Sequence, residues 1–317
     1  VEKAITPNTI MIAASAPSYV FGVVDPIQDI GQLAIKNNIS FHVDACIGGV
    51  VLGFNRLGGM ETPNFDFSIP GVTSISMDIH KYGYTAKGCS VLMHKDKTYR
   101  KHQFYACTEW TGYTLVNPTI LSTKTGGPIA AAWSVMKFLG KEGYCDFSRR
   151  TMNTTQRFIS GINAIDGLEV VGNPEVSLLS FTATKGNPYD LFDELNNKNW
   201  FVQFQLSNDY CPANLHLTVT KIHETMVDEF LIDLKACHEK VQKKGLVKKA
   251  TEKVTIETVR KLANNLSPEN FEKLGKLLGF SNGKVPDKLA LINRIMDILP
   301  PDTVRNTLID YMNDLYI

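Results

Sequence analysis

The stretch VDPIQDIGQLAIKNNISFHVDACIGG, Val24 to Gly49, decides the fold. Within it Ile27, Ile30, Leu33 and Ala34 recur at helical spacing behind Asp25 and Pro26, a pair suited to N-cap and first helical position. The following ISFHVDACIGG reads as a strand stopped by two glycines. Upstream, NTIMIAASAPSYVFG (Asn8 to Gly22) carries a short apolar run ended by turn residues, as a buried strand would. Strand, helix and strand joined this closely make a βαβ unit, and hence a mostly parallel sheet covered on both faces.

Downstream, VTSISMD and CSVLMHKD read as two more strands flanking the loop IHKYGYTAKG, Ile79 to Gly88. Helices are expected from Gly126 to about Gly161. From Leu168 the pattern changes: LEVVG, VSLLSFTA and LHLTVT are strand-like, whereas PYDLFDELNNKNW and KIHETMVDEFLIDLKACHEKVQKKG are helical, which makes a small α+β domain. A basic linker, QKKGLVKKATEKV, leads to a helical tail. Its first helix is expected to start at Ser267, Pro268 and Glu269 and to end at Gly279 and Gly283, with DKLALINRIMDIL and TVRNTLIDYMNDLY following and docking on the body. The expected domains are 1–140, part of a large domain; 141–245, the small domain; and 246–317, the tail.

A chain of 317 residues can bury a large core, and more than one domain is expected. A net charge of +1 with 21% charged residues leaves no footprint for nucleic acid. The six cysteines show no zinc-type spacing, so neither a metal site nor a disulfide framework is expected, and a reducing cytoplasm fits. No apolar run approaches the roughly 20 residues that span a bilayer. The opening VEKAITPNTI lacks an initiator Met and a signal pattern and is expected to be the middle of a longer protein.

Two residues at strand ends carry chemistry. Lys81 follows His80 in a loop between buried strands, where desolvation would lower its pKa and make it an imine-forming amine. Asp44 ends a buried strand beside the small Ala45, and such a carboxylate needs a cation or donors. It either bonds nearby backbone N–H groups or faces the protonated ring nitrogen of pyridoxal phosphate. His80 either offers an N–H to the cofactor phosphate or bonds backbone. His42 is open between packing and function. Open α/β sheets bind ligands at strand ends, so Asp44 and Lys81 are expected to converge on one crevice.

The segments HVDACIGGVVLGF, GVTSISMDIHKYGYTAKG, TEWTG, NPT and GKEGY together resemble the sphingosine-1-phosphate lyases, a branch of the pyridoxal-phosphate decarboxylase-like enzymes. The resemblance runs over about Thr6 to Tyr144, is looser over the small domain, and returns in DYMNDLY. It implies an aspartate-aminotransferase-like large domain of PLP fold type I, truncated at its front, with the α+β domain and helical tail behind it. By the same resemblance Lys81 bonds the cofactor, Asp44 faces the pyridine nitrogen and Ala45 leaves room for the ring. His80 sits at the ring or phosphate, and Lys87 reaches toward a substrate phosphate or moves a proton. Ser122 and Thr123 lie in a loop that reaches the partner subunit's cofactor phosphate, which implies a homodimer with shared sites.

The implied reaction splits a carbon–carbon bond of a phosphorylated long-chain base, giving a fatty aldehyde and ethanolamine phosphate. An amino-acid decarboxylase, and an inactive homologue serving as a binding subunit, are the alternatives. Phe21 stands where relatives often carry histidine, Ile79 replaces a threonine, and Leu115 falls where tyrosine is common, with Tyr113 two residues earlier. In STKTGG, Lys124 takes the place of an arginine, a point charge instead of a bidentate fork.

Overall fold

The strand β1 (Met11–Ser15), helix α1 (Ile27–Asn37) and strand β2 (Ser40–Asp44) form the expected βαβ unit, with β1 and β2 parallel. The structure is a computed structural model that describes residues 1–121, 123–243 and 289–315. Helix α2 (Gly48–Leu57) leads to strand β3 (Ser74–Asp78), which pairs parallel to β2, and strand β4 (Ser90–His94) closes the sheet antiparallel to β3. The order is β1-β2-β3-β4, so both candidate residues leave the two central strands. Phe41 and Val43 in β2 are fully buried, each stabilising the fold by roughly 1.5–3 kcal/mol.

Helix α1 starts one residue later than the sequence implies. Pro26 is its N-cap, and the Asp25 carboxylate instead accepts the backbone N–H of Ser15 at 2.7 Å. It therefore anchors the end of β1. Ile27, Ile30, Gly31 and Ala34 form the buried face. Gly48 opens α2 because a Cβ there would lie 2.1 Å from the carbonyl oxygen of Ala16.

The short helix α3 (Lys97–Arg100) precedes a hairpin that sequence reading missed, β5 (Tyr105–Cys107) against β6 (Leu115–Asn117). The segment α4 (Gly127–Asn163) is two helices, as expected, that meet at a kink at Gly140, whose φ of +58° is non-helical. Strands β7 (Leu168–Val170) and β8 (Leu178–Ala183), helix α5 (Pro188–Asn196), and strands β9 (Gln203–Gln205) and β10 (Asn214–Thr218) follow, with sheet order β7-β8-β10-β9. Helix α6 spans 227–243. The last two, α7 (Ala290–Ile298) and α8 (Pro301–Leu315), agree with the expected tail, while the helix expected from Ser267 lies outside the described residues.

These elements fall into two compact units. One comprises Val1–Arg157, Gly172–Leu179 and Thr218–Glu224; the other, Phe158–Val171, Ser180–Leu217 and the chain from Thr225. In the second, α7 docks on α5 through definite bonds: Asp193 accepts the N–H groups of Leu289 and Ala290 at its start, and Arg294 pairs with Asp190. Ile292 and Ile295 bury the apolar side of α7. Among the described residues no helix is long and apolar enough to cross a membrane.

Candidate active site

Asp44 is the last residue of β2, and its Oδ1 accepts the backbone N–H of Cys46 at 3.0 Å and the Ser76 hydroxyl of β3 at 3.2 Å. The parallel register sets Ser76 directly opposite Asp44 and Ser74 opposite His42. The His42 ring spans both serines, 2.8 Å from Ser74 Oγ through Nδ1 and 3.1 Å from Ser76 Oγ through Nε2. Because the Ser76 proton is given to Asp44, Nε2 must donate to Ser76 and Nδ1 accept from Ser74, which assigns the tautomer. Burial lowers the His42 pKa, the His94 charge acts the same way, and Asp44 opposes them. A neutral ring is the form this relay needs.

Lys81 sits in the turn after β3, where its N–H reaches Asp78 O at 3.2 Å and Tyr84 N–H reaches Lys81 O at 3.0 Å. Tyrosines hold this loop in place. The Tyr82 hydroxyl donates to Val219 O at 2.7 Å, the Tyr144 hydroxyl donates to Gly83 O at 2.8 Å, and Tyr84 takes a left-handed φ of +57°. Gly83 has no alternative, since a Cβ would lie 2.2 Å from the carbonyl oxygen of Ile79.

The Lys81 side chain is 36% exposed, and its Nζ lies 2.9 Å from Asp78 Oδ2. The Lys81 pKa is raised, not lowered as its apolar neighbours imply. Burial does pull it down, but hydrogen bonds to Asp78 and Cys46 and the charges beside them outweigh burial and raise it. Sequence reading saw the apolar neighbours without the partners.

Cys46 lies between the two strand ends: its backbone N–H donates to Asp44 Oδ1 at 3.0 Å, and its thiol titrates under the influence of both Lys81 and Asp44. Burial raises its pKa, with Asp44 acting the same way and Lys81 against it. The backbone ties the two strand ends together, Asp78 N–H donating to Cys46 O at 3.2 Å and Ala45 N–H to Ser76 O at 2.9 Å. Ala45, next to Asp44, is fully buried. His80 takes the backbone alternative: its Nδ1 donates to Cys89 O at 2.8 Å, while Nε2 lies 4.0 Å from Asp78 Oδ2.

Lys87 and Thr123 are exposed, and among the described residues no hydrogen bond or ion pair brings either to Lys81 or Asp44. Ser122 lies outside the described residues. Sequence reading gave no role to Cys46, Ser76, Asp78 or Ser90. The spacing of Asp78 and Lys81, three residues apart across a turn, was the only signal available for any of them.

Residues 1–184 match the conserved domain of pyridoxal-dependent decarboxylases. The chain belongs to this family. Residues 254–314 match a further profile, the putative HTH domain at the C-terminus of pyridoxal-dependent enzymes. The chain is similar to a sphingosine-1-phosphate lyase of Arabidopsis thaliana, 41% identical over 241 residues, or 76% of this chain and 44% of that protein. It is also similar to a probable sphingosine-1-phosphate lyase of Legionella pneumophila, 36% identical over 71% of this chain and 38% of that one.

The chain therefore spans less than half the length of these curated relatives. The solved sphingosine-1-phosphate lyase of Burkholderia pseudomallei superposes with a TM-score of 0.72 at 32% identity, covering 81% of this chain and 58% of that one. A glutamate decarboxylase of Lactobacillus brevis, at 20% identity and a TM-score of 0.66 over 75% of this chain and 56% of its own, shares the fold alone. The fold is PLP fold type I, and the cofactor of the family is pyridoxal phosphate. The residues present fit that group. An amine, a buried small residue and a carboxylate with two donors on one oxygen lie side by side at the ends of adjacent strands.

Proposed function

We propose that this chain carries the lysine and acid of a pyridoxal-phosphate-dependent carbon–carbon lyase that cleaves phosphorylated sphingoid bases, such as sphingosine 1-phosphate, to a fatty aldehyde and phosphoethanolamine. The observation that carries the reading is that Asp44 ends β2 and Lys81 follows β3 on the adjacent parallel strand, the two ends being tied by the backbone bonds Asp78 N–H to Cys46 O at 3.2 Å and Ala45 N–H to Ser76 O at 2.9 Å. The relatives named as lyases support the substrate class. When bound, pyridoxal phosphate supplies an electron sink for the bond that breaks.

In this reading the chain's own residues bind and orient. Lys81 attaches the cofactor and receives or returns a proton at Nζ. Asp44, aimed by the Ser76 hydroxyl and the Cys46 N–H, holds a proton on the ring nitrogen. Ala45 leaves the ring its space, Ser122 and Thr123 serve the cofactor phosphate, and His80, its Nδ1 held by Cys89 O, has only Nε2 to offer the ring or phosphate. Lys87, exposed on the loop after Lys81, meets the substrate phosphate or moves a proton.

A homodimer with shared sites belongs to the same reading. Its support is the exposed apolar run Ile129, Trp133, Met136 and Phe138 at the start of α4, a surface that a second copy would cover. The reading also assigns 1–140 to the cofactor-binding part, 141–245 to the small domain and 246–317 to the tail. A cytoplasmic setting is supported by six free thiols.

The test is the absorbance of cofactor-supplied protein in the near-visible region, for wild type and Lys81→Ala. The wild type is expected to gain a band that the variant lacks; no band in the wild type overturns the reading. Phosphorylated sphingoid base and amino acids are then supplied separately. Aldehyde release supports the lyase, whereas carbon dioxide without aldehyde replaces it with a decarboxylase. A wild type that gains the band but releases neither product is an inactive homologue.

A further inference from the structure

Lys81 has a second neighbour besides the thiol. Asp78, the last residue of β3, places Oδ2 2.9 Å from Nζ, and its Oδ1 accepts the hydroxyl of Ser90. Ser90 is no chance contact. It is the register partner of Asp78 in the antiparallel β3-β4 pair, so the sheet itself presents the hydroxyl to the carboxylate. The Asp78 N–H is tied in turn to Cys46 O at 3.2 Å. The carboxylate is only 21% exposed, and its oxygens are taken by one hydroxyl and one ammonium.

We propose that Asp78 is a positioning residue that parks the Lys81 amine as an ammonium against the end of β3 whenever it is not bonded to an aldehyde. The proposal rests on the reading of Lys81 as the cofactor-bonding lysine. Joining Nζ to an aldehyde carbon forms a carbon–nitrogen double bond, releases the aldehyde oxygen as water and sheds the ammonium proton. Pairing with Asp78 opposes the loss of that proton and sets the pH at which capture begins. It also keeps the side chain folded back beside Cys46, ready for the site.

The groups facing Nζ are Asp78 from β3 and Cys46 from the turn between β2 and α2, with Asp44 behind Cys46; His80 faces Asp78 from the turn itself. The raised pKa of Lys81 and the lowered pKa of Asp78 agree with a mutual pair. For Asp78, burial pushes upward but is outweighed by the Ser90 and Lys81 bonds.

The experiment is reductive methylation of the cofactor-free chain with formaldehyde and cyanoborohydride across a pH series, read at Lys81 by peptide mass spectrometry. The exposed Lys97 and Lys137 serve as internal references. Asp78→Asn is expected to raise Lys81 labelling near neutral pH roughly twofold to fivefold, the range a partly exposed ion pair supports. Asp78→Glu is expected to restore the wild-type profile, and Ser90→Ala to give a smaller rise.

An unchanged Lys81 profile in Asp78→Asn, with the references matching wild type, overturns the proposal. Should that variant not fold, an unchanged profile in Ser90→Ala overturns it equally. Because the readout is the free amine's titration, a negative result leaves the absorbance test of cofactor attachment standing, and the two failures are distinguishable.

Discussion

The ends of β2 and β3 hold their functional groups in different ways. At β2 the carboxylate of Asp44 is fixed through a short side chain by a neighbouring N–H and a cross-strand serine, with His42 behind them. At β3 the backbone is what is fixed, by Gly83 and by the hydroxyls of Tyr82 and Tyr144, while the long Lys81 side chain is restrained only by an ion pair and a thiol. One site thus combines a rigid acid with a swinging amine on a rigid base. On the roles proposed for them, an acid that holds a ring in place needs few torsions, and an amine that forms and breaks a bond needs several.

The largest way to break this contrast is Gly83→Ala. A Cβ against the Ile79 carbonyl forces the loop to move, and a loss of about 2–4 kcal/mol is expected in urea unfolding, with faster proteolysis between residues 79 and 88. Tyr144→Phe leaves the Gly83 carbonyl without its donor and is expected to cost about 1–2 kcal/mol by the same measurement. It should leave hydrogen exchange in β2 unchanged, because it acts on the lysine end alone.

Ser76→Ala attacks the other end. It removes the donor to Asp44 and the acceptor of His42, and about 1 kcal/mol of stability is expected to go, with weaker pyridoxal phosphate binding in titration and an intact 79–88 loop.

The smallest effect is one of pH. His42 titrates below its ordinary value, so across the window between the folded value and about 6.5 the unfolded chain binds more protons than the folded one. Stability is therefore fully present above that window and lost as pH falls through it. His42→Gln should make this slope shallower than wild type in unfolding midpoints measured from neutral to mildly acidic pH, His223 and His238, also lowered by burial, contributing the remainder; a slope equal to wild type would remove His42 from the relay.

The sequence made the scaffold readable. Helical spacing in Ile27 to Ala34 and two short apolar runs predicted the βαβ unit, and the loop around Lys81 fell between strands as expected. The hairpin of β5 and β6 escaped because each strand is only three residues long, too short for a periodicity. Asp25 escaped as well, since a carboxylate before a proline looks like a cap until the end of β1 is seen beside it.

By itself, then, the amino-acid order determined which residues end the buried strands, because burial and turn chemistry are local and periodic. Only the tertiary structure decided that Ser76 faces Asp44, that Ser90 faces Asp78, and that Cys46 O receives the Asp78 N–H across the two strand ends. Those pairings depend on strand register and turn geometry, which bring together residues about 30 positions apart in one case and 12 in another. The direction in which the lysine titrates followed from those partners, because a hydrogen-bonded opposite charge at 2.9 Å outweighs partial burial.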